Sequence, residues 1–130
     1  MILAIRTDNP EAELVLCDVS GRIMASKTWQ AHRQLAETLH QELEALLLSQ
    51  AKTYADIQGI VIYHGPGSFT GLRIGVSVAN ALAYAQGVPI VGTTGEQWID
   101  DGVEQILHNP SDEPVWPEYG APVHITTPRK

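Results

Sequence analysis

Apolar and polar positions along the chain change their spacing several times, which predicts alternating strands and helices. Three short apolar or alternating stretches come first, and the turn signals Asp8-Asn9-Pro10 and Ser20-Gly21 separate them. These stretches predict an antiparallel meander with strands at residues 2–7, 13–19 and 22–29. An antiparallel meander is therefore expected to open the domain.

The rest of the pattern predicts helices between buried strands. Leucines three and four residues apart indicate an amphipathic helix over residues 31–50, and the run Ile60-Val61-Ile62 indicates a buried strand. A second helix is predicted over residues 70–86 and a short strand over residues 88–91. Thr94 and Gln97 have the spacing of a capping box for a third helix that ends near Leu107. The order βββαβαβα predicts an α/β domain with a mixed sheet.

Composition divides the chain into a domain and a tail. Residues 1–108 carry the periodic patterns, whereas five of the eight prolines fall in residues 109–130. We therefore predict an extended Pro-rich tail rather than a second domain. Its large apolar side chains favour docking of the tail on the domain, and they are Trp116, Tyr119, Val123 and Ile125.

Charge limits the partners of the chain. The net charge is −7, and no Lys or Arg occurs from Ile74 to Pro128. A protein that binds a nucleic acid unaided needs clustered cations, so any nucleic acid is expected to reach this chain only through a partner. No apolar run is long enough for a membrane span, and no basic leader precedes Ile2. We expect a cytoplasmic protein without membrane contact.

Candidate chemistry is sparse. Cys17 has no second cysteine, and the five histidines lack the HExxH spacing, so we expect no metal site and no cofactor. The loop after the fourth strand is glycine-rich, but it lacks the lysine of a phosphate-binding loop. A tight turn that caps the second helix is one interpretation of this loop. A nucleophilic Ser68 beside His64 is another, although no carboxylate to orient the histidine is evident.

An eleven-residue motif in this loop resembles a known family. It reads Gly65, Pro66, Gly67, Ser68, Phe69, Thr70, Gly71, Leu72, Arg73, Ile74 and Gly75. Together with the opening Ile2-Leu3-Ala4-Ile5 and the stretch Gln86-Gly87-Val88-Pro89-Ile90, it resembles the bacterial tRNA threonylcarbamoyladenosine biosynthesis family TsaB, also called YeaZ. The closing Pro117-x-Tyr119 and the final residues Pro128-Arg129-Lys130 are also similar.

The resemblance implies a non-catalytic subunit with an actin-like, ribonuclease H-like fold. Such a subunit pairs with a TsaD-type catalytic subunit and, with a TsaE-type ATPase, supports transfer of a threonylcarbamoyl group to N6 of adenosine 37 in tRNA. The resemblance further implies that the first two helices form the contact with that subunit or, alternatively, a homodimer. The interface residues expected on this basis are Leu35, Leu39, Leu43, Gly71, Leu72, Gly75, Val76, Ala79 and Ala83.

Two departures from the family favour a role without catalysis. Members usually carry a second lobe after the third helix, where this sequence has only its tail, and their first strand ends Asp-Thr where this chain has Arg6-Thr7. The alternatives that remain are a stand-alone ATPase or peptidase-like enzyme that uses the Gly-rich loop, and a homodimeric structural protein. The missing loop lysine and strand carboxylate disfavour the enzyme, but the sequence does not separate the scaffold from the homodimer.

Overall fold

The computed structural model of the chain describes residues 1–67, 69–111 and 113–118. The predicted order of elements is confirmed, with boundaries that differ by a few residues. The elements are β1 (Ile2–Arg6), β2 (Glu11–Cys17), β3 (Ile23–Gln30), α1 (Leu35–Ser49), β4 (Gly59–Tyr63), α2 (Phe69–Gln86), β5 (Ile90–Thr93) and α3 (Trp98–His108).

The five strands form one mixed sheet in the order β3-β2-β1-β4-β5. The first three strands make the predicted antiparallel meander, while β1 also pairs in parallel with β4, and β4 with β5. The turn between β2 and β3 forms because Asp18 Oδ1 accepts hydrogen bonds from the backbone N–H groups of Ser20 and Arg22. Because β1, β4 and β5 run parallel to one another, their carboxyl ends meet at one edge of the sheet.

Both faces of the central strands are buried, which explains their unbroken apolar sequence. Alternate residues such as Leu3, Ile5, Ile60 and Ile62 pack under α1 and α2. Their neighbours, including Ala4 and Val61, face α3 on the other side, where Trp98, Val103 and Ile106 complete a second core. In contrast β3 lies at the sheet edge and is largely exposed.

Two helix starts differ from the sequence prediction. Residues His32–Gln34 form a 3-10 turn, and α1 begins only at Leu35. The predicted capping box at Thr94 is wrong. Gly95 adopts a φ of +83° and turns the chain, so α3 begins only at Trp98. The residue before the helix, Gln97, makes no capping hydrogen bond through its side chain. Among the helices in the described ranges, none combines the length and apolarity that crossing a membrane requires.

Candidate interaction site

The glycine-rich loop joins β4 to α2 and is crowded from two sides. Gly65 has a φ of +134° and follows the end of β4, and a Cβ at this position would overlap the carbonyl oxygen of Glu118. A Cβ at Gly67 would overlap the side chain of Asp8. Both glycines are therefore required by close backbone approach. Pro66 lies between them and accepts a hydrogen bond of 3.2 Å from Tyr63 Oη on its carbonyl oxygen.

This crowding leaves the loop poorly suited to hold a phosphate. The side chain of Asp8 packs against Gly67 and occupies the space that an anion would need there. Asp8 is paired with Arg6, whose Nε donates to Asp8 Oδ1 over 2.8 Å and whose Nη2 donates to Oδ2 over 3.2 Å. The hydrogen bond to Asp8 raises the pKa of Arg6 above its already high ordinary value. The charge of Arg6 is thus already matched by a carboxylate of the same chain.

Arg6 is also held by aromatic rings at the carboxyl end of β1. Its guanidinium carbon lies 3.9 Å from the centroid of the Tyr63 ring and 6.0 Å from that of Trp98. Tyr63 and Trp98 pack edge to face with centroids 6.0 Å apart. The residue that departs from the family sequence is therefore built into a stacked and ion-paired cluster.

Helix α2 packs onto β1 at the small residues of the motif. Thr7 is buried and its Oγ1 donates a hydrogen bond of 2.7 Å to the carbonyl oxygen of Gly71. One turn later, a Cβ at Gly75 would overlap the same Oγ1 atom. The small residues of α2 therefore allow a close approach to the Thr7 side chain of this chain, directly after β1.

The structure buries most of the predicted interface residues within this chain. Seven of them bury their side chains in the core of this chain, because they occupy the sheet-facing sides of α1 and α2: Leu35, Leu39, Leu43, Leu72, Val76, Ala79 and Ala83. Gly75 is buried and Gly71 is half-buried. A contact through these helices stays a prediction, and it would have to use other residues on their outer sides.

The outer side of α2 carries small and apolar residues. Ser77, Ala81, Tyr84 and Ala85 are exposed, and Ile74, Val78 and Leu82 are half-buried. From Ile74 to Gln86 the helix has no charged residue. Arg73 and Thr70 are exposed at its start. Ser68 lies outside the described residues, and Phe69 is described only through the helical backbone, so the capping and nucleophile hypotheses for Ser68 stay untested.

Residues 113–118, called the strap below, lie against the domain. Asn80 of α2 donates through Nδ2 to the carbonyl oxygen of Val115 and accepts through Oδ1 from its N–H, both over 2.9 Å. His64 Nδ1 lies 2.9 Å from the carbonyl oxygen of Trp116, and the N–H of Glu118 donates to the carbonyl oxygen of His64 over 2.7 Å. This part of the predicted tail docks on the domain, whereas Tyr119, Val123 and Ile125 lie outside the described residues.

A cavity of about 510 Å³ opens beside the strap at the carboxyl ends of β4 and β5. Its lining includes His64, Thr93 and three carboxylates, Asp101, Glu104 and Glu118. The negative side chains disfavour a phosphate ligand. Within the described ranges, no group of three or more His, Cys, Asp or Glu side chains is arranged to hold a metal ion.

Sequence reasoning missed Asn80 and Gly92. Asn80 interrupts an apolar helix, which is the only local sign of its contact with Val115. Gly92 leaves room for Val115, because a Cβ there would lie 2.6 Å from Val115 Cγ1 and 3.0 Å from the His64 ring. Both residues serve a contact with a segment far along the chain, which periodicity does not reveal.

Comparison with known proteins shows which family the chain belongs to. The model of the family described as "TsaD: tRNA N6-adenosine threonylcarbamoyltransferase" matches residues 26–98, more than half of the chain. The chain belongs to the TsaD family. A member from Pelobacter propionicus, a tRNA N6-adenosine threonylcarbamoyltransferase, is 33% identical over 107 residues, which cover 71% of this chain and 32% of that protein.

Two relatives of this chain, one compared by sequence and one by structure, confirm its resemblance to TsaB. The tRNA threonylcarbamoyladenosine biosynthesis protein TsaB of Escherichia coli is 28% identical over 106 residues, covering 71% of this chain and 46% of TsaB. The solved structure of YeaZ from Pseudomonas aeruginosa superposes with a TM-score of 0.66 at 28% identity, covering 72% of this chain and 43% of YeaZ. The chain spans less than half the length of these relatives, and its fold is the expected actin-like, ribonuclease H-like one.

Proposed function

We propose that this chain is a non-catalytic subunit in the synthesis of N6-threonylcarbamoyladenosine in tRNA, which binds and activates a TsaD-type catalytic subunit. The observation that carries the proposal is the outer side of α2. Ser77, Ala81 and Ala85 are exposed there, and no charge occurs from Ile74 to Gln86. A helix that remains in water normally carries charges on its outer side, so this surface is suited to a protein partner.

The carboxyl ends of the parallel strands support a role without catalysis by this chain. Arg6 and Asp8 neutralise each other there, and Asp8 occupies the space beside Gly67. A phosphate or nucleotide would have to displace that ion pair. In the proposed complex, the catalytic subunit therefore holds the substrates, and a TsaE-type ATPase completes the assembly. The partners bind the tRNA, because residues 74–128 of this chain lack Lys and Arg.

A second candidate is transferase activity in the chain itself. It is favoured by the family model, which is named for the enzyme and matches residues 26–98. The two proposals differ in what the purified chain does alone. An enzyme forms threonylcarbamoyladenosine without a TsaD-type subunit, whereas an activating subunit forms none and increases the rate when that subunit is present.

The test combines binding and activity. The chain is mixed with the TsaD-type subunit of the same organism, association is measured by calorimetry, and modified tRNA is quantified with and without the chain. Ala81→Glu puts a charge on the outer side of α2 and is expected to weaken both association and activation. Ala55→Glu is the matched control, because Ala55 is an exposed alanine outside α1 and α2. Normal association of the Ala81→Glu variant would contradict the proposal.

That test also separates the remaining alternatives. Turnover of ATP or of a peptide by the chain alone would favour the enzyme that uses the Gly-rich loop. Self-association that Ala81→Glu abolishes, without any binding to the TsaD-type subunit, would favour the homodimeric structural protein.

A further inference from the structure

The strap has an inner and an outer side. Val115 and Pro117 are half-buried, while Pro114, Trp116 and Glu118 are exposed. This alternation is that of an extended chain, in which successive side chains point in opposite directions. Because Val115 packs against Gly92 on the domain, Pro114 and Trp116 face outwards. Trp116 is 76% exposed.

Hydrogen bonds hold the backbone of the strap on either side of the exposed tryptophan. The side chain of Asn80 forms hydrogen bonds with both the backbone N–H and the carbonyl oxygen of the preceding residue, Val115. The carbonyl oxygen of Trp116 itself lies 2.9 Å from His64 Nδ1. The N–H of Ile90 donates to the carbonyl oxygen of Ser111 over 3.1 Å, just before the strap. The backbone of the segment is therefore ordered before any partner arrives, which lowers the entropic cost of binding.

Helix α2 contributes a second exposed aromatic side chain to the same region. Tyr84 is 91% exposed, and it lines a cavity of about 390 Å³ together with Pro114 of the strap. The floor of this cavity includes Ala83, Val88 and Ile90. Tyr and Trp are the residue types that most often dominate binding energy at protein interfaces. We call Tyr84, Pro114 and Trp116 the strap surface.

Charge indicates which partner fits this surface. Glu113 and Glu118 are exposed at the two ends of the strap, and residues 74–128 supply no Lys or Arg to balance them. A second copy would present the same carboxylates and would add to the repulsion between two chains of net charge −7. A partner with an apolar centre and a rim of Lys or Arg is complementary to it.

We propose that the strap surface is a docking site for a protein partner with an apolar patch bordered by basic residues. This inference rests on the proposed function, and its partner is the same TsaD-type subunit that contacts the outer side of α2. Tyr84 belongs to α2 and Pro114 to the strap, so the strap surface extends that contact towards the β5 edge of the sheet. The strap thereby acts as a second, aromatic part of the interface.

The experiment measures the affinity of full-length variants for the TsaD-type subunit. Trp116→Ala and Tyr84→Ala are each expected to weaken binding by roughly tenfold or more, because buried aromatic side chains at interfaces commonly contribute at that level. Glu113→Lys should also weaken it, and added salt should reduce that difference. Ile23→Ala is the control, since Ile23 is 57% exposed on β3 at the opposite sheet edge. Circular dichroism verifies that each variant is folded.

Three results overturn the inference in distinguishable ways. If Ala81→Glu weakens binding while Trp116→Ala and Tyr84→Ala bind like the wild type, the proposed function stands and the strap surface is not part of the contact. If the wild-type chain does not bind the TsaD-type subunit, both proposals fail. If Trp116→Ala changes only the sedimentation of the chain alone, the strap surface joins two copies of this chain instead.

Discussion

Gly75 and Thr7 provide a direct test of how α2 is seated on the sheet. Replacing Gly75 by alanine in an isolated helix would stabilise it by about 1 kcal/mol. Here the new Cβ would overlap Thr7 Oγ1 and lie 3.1 Å from both Thr7 Cβ and Cγ2. Thr7 is only 1% exposed and is bonded to Gly71, so it has no space into which it can turn.

The opposing contributions decide the sign of the effect. Overpacking in a close-packed core costs about 1–3 kcal/mol. Displacing Thr7 also breaks its hydrogen bond to Gly71, which contributes about 1 kcal/mol. After subtraction of the helix gain, we expect Gly75→Ala to lower the free energy of unfolding by about 1–3 kcal/mol.

A double-mutant cycle shows whether Thr7 is the cause. Thr7→Ala removes the overlapping Oγ1 but keeps the Cβ that would lie 3.1 Å from the new Cβ. The residual crowding and the gain in helix propensity should then nearly cancel, so Gly75→Ala should change stability little in that background. The coupling free energy between the two sites is then expected to be about 1–3 kcal/mol. Urea unfolding followed by circular dichroism resolves this, because such a change shifts the midpoint by about 1 M for a slope near 2 kcal/mol/M.

Ala81→Gly is the control for this cycle. Ala81 is exposed on the same helix, so its replacement by glycine measures helix propensity alone. It should lower the free energy of unfolding by about 1 kcal/mol both in the wild type and in the Thr7→Ala variant. Equal costs of Gly75→Ala with Thr7 and with Ala at position 7 would refute the reasoning. So would an increase in stability from Gly75→Ala alone.

Three further predictions follow from other contacts. Ala79→Arg should unfold the chain, because Ala79 is fully buried, whereas Ala81→Arg should leave its thermal unfolding nearly unchanged. Burial raises the pKa of the Cys17 thiol from 9.0 to about 11, so the contribution of this group to stability is present below pH 9 and is lost as the pH rises towards 11. Urea titrations from pH 8 to 11 should show a smaller decline for Cys17→Ala than for the wild type. Gly65→Ala should release the strap, because its Cβ would overlap the carbonyl oxygen of Glu118, and limited proteolysis would detect faster cleavage within residues 113–118.

The sequence predicted the elements well because their signals are local. Leucine spacing in α1 and the apolar runs of β1 and β4 depend only on neighbouring residues, and they led to the correct element order. The start of α3 was missed because Gly95 turns the chain between Thr94 and the helix, a conformation that the capping spacing does not exclude.

The candidate surface was harder to predict for a physical reason. The small residues Gly75 and Ala79 indicate close packing on α2, but helical periodicity does not say whether a strand of the same chain or a partner fills the space. Only the position of Thr7 decides it. The contact of Asn80 with Val115 joins two segments with no shared local pattern, and the sequence assigned the tail a docking role without locating it.

The central place of β1 in the sheet has a consequence for the order in which the chain folds during synthesis. Strand β1 is synthesised before the other four strands, and its antiparallel neighbour β2 follows within a few residues. Its parallel neighbour is β4, at residues 59–63, so one edge of this apolar strand stays open while the intervening chain is made. Closing that edge requires a long loop, which makes it a slow step. The nascent meander with α1 is therefore the species that a chaperone would meet.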